Sequence, residues 1–162
     1  MNGKVVGGFI VLSALLAGGA IYWLQEYAFY HDAAFRPGEE IMLTTLAGQP
    51  EPIPVTNLSG IDADSSPLRF RACFHADVDL ATLTESFQTY DKAEPLIGPS
   101  WFDCFDAERI GEALKSGEAV AFLGQSGIAP QVDRVIAVFP DGSAFAWHQL
   151  QPGANATQTI GE

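Results

Sequence analysis

Hydrophobic positions along this chain form one unbroken block and then a series of short alternations. The block is Val5 to Leu24, a run of 20 residues with no charge. As a helix it is about 30 Å long, matched to the hydrocarbon thickness of a bilayer. Tyr22 and Trp23 close the run, and Tyr27 and Tyr30 follow; such rings favour the headgroup layer. A buried core helix of that length would carry a polar stripe, and this one has none. A cleaved signal peptide is the competing reading, because Ala17-Gly18-Gly19 offers small residues for processing. Apolar character continuing as far as Leu24 favours an uncleaved transmembrane helix. Gly3 with Gly7, and Ala14 with Gly18, would let a second helix approach closely.

Past the span the pattern changes character. Residues 25–38 read as a juxtamembrane stalk ending at Arg36-Pro37-Gly38, and Ile41 to Leu46 as a first strand. Pro52 and Pro54 mark an edge or extended connection, since proline cannot donate to a sheet ladder. Gly60 to Pro67 reads as a polar loop. Leu68, Phe70, Ala72 and Phe74 then alternate with Arg69, Arg71, Cys73 and His75, the period of a half-buried strand. Two helices are predicted next. Asp77 or Asp79 can cap the first, with Leu80, Leu83 and Phe87 along one side. Asp103 or Asp106 can cap the second, with Phe105, Ile110, Ala113 and Leu114 inward and Gly117 as its stop. Ala119 to Leu123 is a short apolar strand. Val132 to Phe139 and Ser143 to Leu150 form a hairpin across Pro140-Asp141-Gly142. The expected fold is α+β: one N-terminal transmembrane helix, then a domain at 39–150 with an antiparallel sheet and two helices on one face, then a flexible tail at 151–162.

Charge narrows the partners. The chain has 20 acidic residues against eight lysines and arginines, and all the acids follow the span. A polyanion is repelled by nucleic acid and by anionic lipid surfaces, so no nucleic-acid partner is expected. An acidic surface can attract a basic partner. Residues 1–4, with Lys4 and the amino terminus, are short enough to stay cytoplasmic, which puts the domain outside. In that compartment Cys73 and Cys104, 31 positions apart, are expected to pair as a structural disulfide.

Candidate chemistry is sparse. Cys73, His75, Cys104 and His148 have ligand types suited to zinc or copper, but their spacing matches no zinc pattern and a disulfide would consume both thiolates. No metal or other cofactor is therefore expected. Asp62, Asp64 and Ser66 begin like a calcium loop, yet Pro67 and Cys73 stand where it needs glycine and glutamate. Neither Gly98-Pro99-Ser100 nor the segment around Ser126 makes a nucleophile elbow, and no phosphate-cradling loop is present, so no catalytic residue is assigned. Glu108 and Glu112, one turn apart, read as exposed helix residues. Arg69 and Arg71 share a strand face with His75 and are candidates for an anionic ligand or a partner's carboxylate. Trp101 and Phe102 are candidate partner contacts.

Ser66-Pro67-Leu68-Arg69-Phe70-Arg71-Ala72-Cys73-Phe74, Trp101-Phe102-Asp103-Cys104-Phe105-Asp106 and Ala146-Trp147-His148-Gln149-Leu150, behind a short start and one span, resemble an uncharacterised family of small single-span proteobacterial envelope proteins. The resemblance implies a bacterial inner membrane and a periplasmic domain, and it brings no activity. The expected function is non-enzymatic support of a membrane or envelope protein assembly, with a membrane-protein partner met through the span and the acidic domain. The alternative is a periplasmic sensor or carrier domain for a small anionic ligand or a metal ion.

Overall fold

The computed structural model describes residues 2–154. The chain divides into two compact units, Met1–Tyr30 and His31–Glu162. The first is essentially α1 (Gly3–Glu26), capped by the Asn2 side chain accepting from the Lys4 amide. Its apolar side chains are exposed along its whole length, and among the described residues it is one helix long and apolar enough to cross a membrane. A signal sequence has the same length and composition, so these properties alone fit either.

The second unit is an α+β domain. Its strands are β1 (Tyr30–Asp32), β2 (Met42–Thr44), β3 (Pro50–Pro52), β4 (Val55–Ala63), β5 (Arg71–Ala76), β6 (Val120–Ala129), β7 (Val132–Val138) and β8 (Ser143–Leu150). Six of them form one sheet in the order β1-β4-β5-β8-β7-β6, and β2 pairs with β3 in a small hairpin. The ladder places Cys73 opposite Phe145 and Arg71 opposite Trp147, while Ile136 pairs with Ala146. The β7–β8 turn holds Gly142 at φ 85°, with the His75 ring packed against it, so a side chain there would meet both backbone strain and a clash.

Both helices form as their caps dictate. Asp79 opens α2 (Leu80–Ser86), and Asp106 opens α3 (Ala107–Ser116), which Gly117 closes in the left-handed conformation. They do not share a face of the sheet as the order of elements suggests. On one face Leu83 of α2 and Leu43 of β2 join Phe74, Phe122 and Ile136 in a buried cluster. On the other, Phe105, just ahead of α3, packs edge-on against Phe145 and Trp147, and Arg109 of α3 lies over Phe139. The connection explains the difference. After Phe87 the chain bridges β6 at Thr89–Phe122, and the Tyr90 amide donates to the Ala121 carbonyl. It then runs onto the other face, where Gln149 accepts from the Glu94 amide and donates to the Lys92 carbonyl. Residues 88–106 thus wrap around the edge strand and carry α3 to the far side.

Strand β4 is a second difference. The sequence places a polar loop at Gly60 to Pro67, over the second half of this strand. That half is the buried part of β4, where Gly60, Ile61 and Ala63 lie inward beside β5, and small residues mixed with Asp62 leave no apolar period to read. The Arg69 and Arg71 pair also separates: Arg69 lies in a 3-10 turn (Pro67–Arg69) and only Arg71 enters β5.

Candidate functional site

The site is built from the wrapped connection. Arg71 is 3% exposed, and a buried guanidinium must have its donors satisfied. Nε donates to the Leu96 carbonyl at 2.7 Å and Nη2 to that of Ile97 at 3.0 Å. Nη1 reaches Leu68 at 2.8 Å and Phe70 at 2.6 Å. Phe105 lies against the guanidinium, with its centroid 5.5 Å from Cζ. Two positions along the same strand face, Cys73 is bonded to Cys104, so both sulfurs are used and neither is a thiolate ligand. Arg71 and Cys73 therefore hold the two ends of the segment from Leu96 to Cys104.

That segment carries two of the exposed large hydrophobic side chains of the domain. Ile97 is 86% exposed and Trp101 is 38% exposed, while Phe102 and Phe105 are buried beneath them. A cavity of ≈ 400 Å³ opens between Ile97, Phe102 and Asp106. A second, of ≈ 560 Å³, lies between Glu94 and the helix residues Glu112 and Leu114. Both have Ala107 and Glu108 in their walls. Together they set apolar residues such as Leu114, Phe102 and Phe105 beside Asp91, Glu94, Asp103, Asp106, Glu108 and Glu112, against Lys115 as the one basic lining residue. The Glu108 and Glu112 pair, unremarkable in sequence, lies along this groove.

The remaining candidates lie elsewhere. His75 is half-exposed with Nε2 3.9 Å from Asp77 Oδ1, close to the β7–β8 turn. Arg71 and His75 sit at opposite ends of β5, and Arg69 precedes the strand. No group of three or more His, Cys, Asp or Glu side chains able to hold a metal ion occurs among the described residues.

Sequence reading passed over the polar groups of β7. Asp133, buried, accepts from the Tyr90 hydroxyl, the Ser126 hydroxyl, the Gly127 amide and the Gln151 side-chain amide. Burial, and then Asp133 itself, raise the pKa of Tyr90 above its ordinary value. Arg134 donates from Nε to His148 Nε2 at 3.0 Å, and His148 Nδ1 lies 2.7 Å from the Pro67 carbonyl. A carbonyl only accepts, so the proton is on Nδ1 and the ring is neutral. An adjacent Asp and Arg within the apolar run Val132 to Val138 were the available signal: two charges in a central strand have to be satisfied by something nearby.

Burial, then the Arg134 charge, push the pKa of His148 down from 6.5 to about 3. The unfolded chain takes up that proton below about pH 6.5 and the folded chain does not. The stabilisation is complete above pH 6.5 and is lost as pH falls from there towards 3. Between pH 7 and pH 5 this residue alone is expected to cost about 2 kcal/mol. Urea unfolding at the two pH values, for the wild type and for His148→Gln, measures it, because the other titrating groups are common to both. Equal pH dependence in the two proteins would show that His148 is not the linked group.

The architecture defines a class: a disulfide-stapled α+β domain behind an N-terminal apolar helix, with an acidic groove beside α3. Within that class the chain belongs to DUF6446, a family of unknown function, whose model matches residues 41–159. No curated protein and no solved structure matches it.

Proposed function

We propose that this chain is a non-enzymatic protein of the proteobacterial inner membrane, anchored by α1, whose periplasmic domain supports a membrane or envelope protein assembly by holding a basic segment of a partner. The observation that carries this reading is the groove beside α3. An aliphatic side chain 86% exposed at Ile97 sits on a segment tied at both ends, next to cavities lined by apolar side chains and carboxylates. Because the segment is already ordered, a partner loses little conformational entropy to it on binding. The carboxylates add steering and select for Lys- or Arg-bearing sequence. The anchor confines the encounter to the membrane plane, and Lys4 ahead of the span supports a cytoplasmic amino terminus.

A photo-crosslinking residue at position 97, in the full chain in its own membrane, tests the reading. The expected product is a membrane or envelope protein joined through a stretch rich in lysine or arginine. Glu108→Lys with Glu112→Lys should weaken capture about ten-fold or more. Crosslinks only to lipid, or capture indifferent to the charge reversal, would count against docking. Protease added to spheroplasts should digest the domain; full protection would reverse the orientation.

A further inference from the structure

A second built site lies on the face of the sheet away from α3, at Arg134. Its Nε is committed to His148, and Cζ lies 4.3 Å from the Phe70 ring centroid, with the His148 ring stacked on Phe70 at 4.4 Å. This fixes the plane of the guanidinium. Among the described residues its two Nη groups have no hydrogen-bond partner, and no carboxylate lies within ion-pair distance of it. Arg134 lines a cavity of ≈ 320 Å³, within the size range of small-molecule sites, about 300–1,000 Å³. A half-satisfied arginine at a cavity wall, pre-oriented by a neutral histidine, is arranged to receive a planar two-oxygen acceptor.

The rest of the lining says which acceptor. Arg36 adds a second guanidinium, while Asp62, Glu39 and Glu40 add three carboxylates. A simple anion such as phosphate would face those three acids, and a simple cation would face two arginines. A molecule carrying both charges satisfies both sets. Phe35, Met42 and Phe70 offer apolar surface beside them.

We propose that this cavity binds a small zwitterion of the free α-amino acid type. Its carboxylate lies on Arg134 and Arg36, its ammonium faces Asp62, Glu39 and Glu40, and its side chain rests on Phe35, Met42 and Phe70. The site is separate from the groove beside α3 and does not depend on docking there.

The test is thermal unfolding of the full chain in detergent micelles, followed by tryptophan fluorescence. The probes are an equimolar pool of the protein amino acids without tryptophan, tyrosine and cysteine, the same pool N-acetylated, the same pool as amides, and inorganic phosphate. The free pool should raise Tm by about 3 °C or more, and the other three should raise it by less than a third of that. No rise with the free pool overturns the proposal, as does an equal rise with either blocked pool or with phosphate. Arg134→Gln should abolish the shift, and its persistence overturns the site. Because Arg134 also holds His148, Asp62→Asn and Arg36→Gln on the cavity wall serve as second variants. Each should cut the shift by at least half, and an unchanged shift in both overturns the assignment.

Discussion

Arg71→Met is expected to destabilise the domain by about 3 kcal/mol. Methionine fills most of the volume but makes none of the four hydrogen bonds to the carbonyls of Leu68, Phe70, Leu96 and Ile97. Charge-assisted bonds of this kind contribute roughly 1.5–3 kcal/mol each, so the gross loss is large. Removing a buried charge also relieves a desolvation cost of several kcal/mol, which offsets part of it. The carbonyls of Leu96 and Ile97 can turn to water only if their segment lifts away. Urea unfolding should show a lower midpoint with little change in slope, and limited proteolysis should find faster cleavage near residues 96–101. Lysine should rescue only in part, because a compact ammonium cannot span acceptors on two segments as a planar fork does. A loss below about 1 kcal/mol would mean that the segment is held without the guanidinium.

Cys73→Ser with Cys104→Ser should cost about 3.5–4 kcal/mol on the chain-entropy estimate for a loop of this length. The bond joins β5 to the residues immediately before α3, so its removal frees the same wrapped segment that Arg71 clamps. Thiol reductant should lower the wild-type Tm to that of the double variant and leave the double variant unchanged. A wild-type Tm indifferent to reductant would show that the bond does not support the fold. Combining the serines with Arg71→Met should give a non-additive loss, since each change releases one end of a single segment. With total stabilities of about 5–15 kcal/mol typical of such domains, the combined protein is expected to lie near its unfolding midpoint at growth temperature. Loss of the groove should accompany loss of either tie, and capture through position 97 reports it directly.

These ties show how unevenly the molecule could be read from its residues. The cysteine pair was legible, because the charge and the apolar run together implied an oxidising address. The arginine pair was legible as chemistry and misread as geometry. Alternation from Leu68 to His75 put Arg69 and Arg71 on one strand face, but Pro67 starts a 3-10 turn with Ser66 as its cap, and the strand begins only at Arg71. Arg71 then spends four bonds on main-chain carbonyls. Two of the acceptors, the carbonyls of Leu96 and Ile97, lie 25 and 26 residues away along the chain, which no local pattern announces. Trp101 and Phe102 were named together as contacts, yet they part company, one exposed and one buried. Adjacent residues point in different directions, and only the packing of Phe102 beneath the segment decides which is outward. Arg134 was missed because a charge beside Asp133 in an otherwise apolar strand carries no period. Its neutral histidine partner comes from the neighbouring strand.

Local signals were enough for the uncharged run Val5–Leu24, the stop at Gly117, the hairpin from Val132 to Leu150 and the α+β class, and they narrowed the helix caps to two aspartates each, of which the structure uses Asp79 and Asp106. Each of these depends on residues within about a turn of one another, where propensity, capping and hydrophobic period act directly. Tertiary structure alone decided that α2 and α3 pack on opposite faces, that Ile97 stands out beside a carboxylate-rimmed groove, and that Arg134 opens on a cavity. The hydrophobic period of a helix records that one side is buried, and is silent on which face of the sheet buries it. That choice was made by the route of residues 88–106 around the edge of β6, under bonds from Gln149, Arg71 and Cys73 that span the domain.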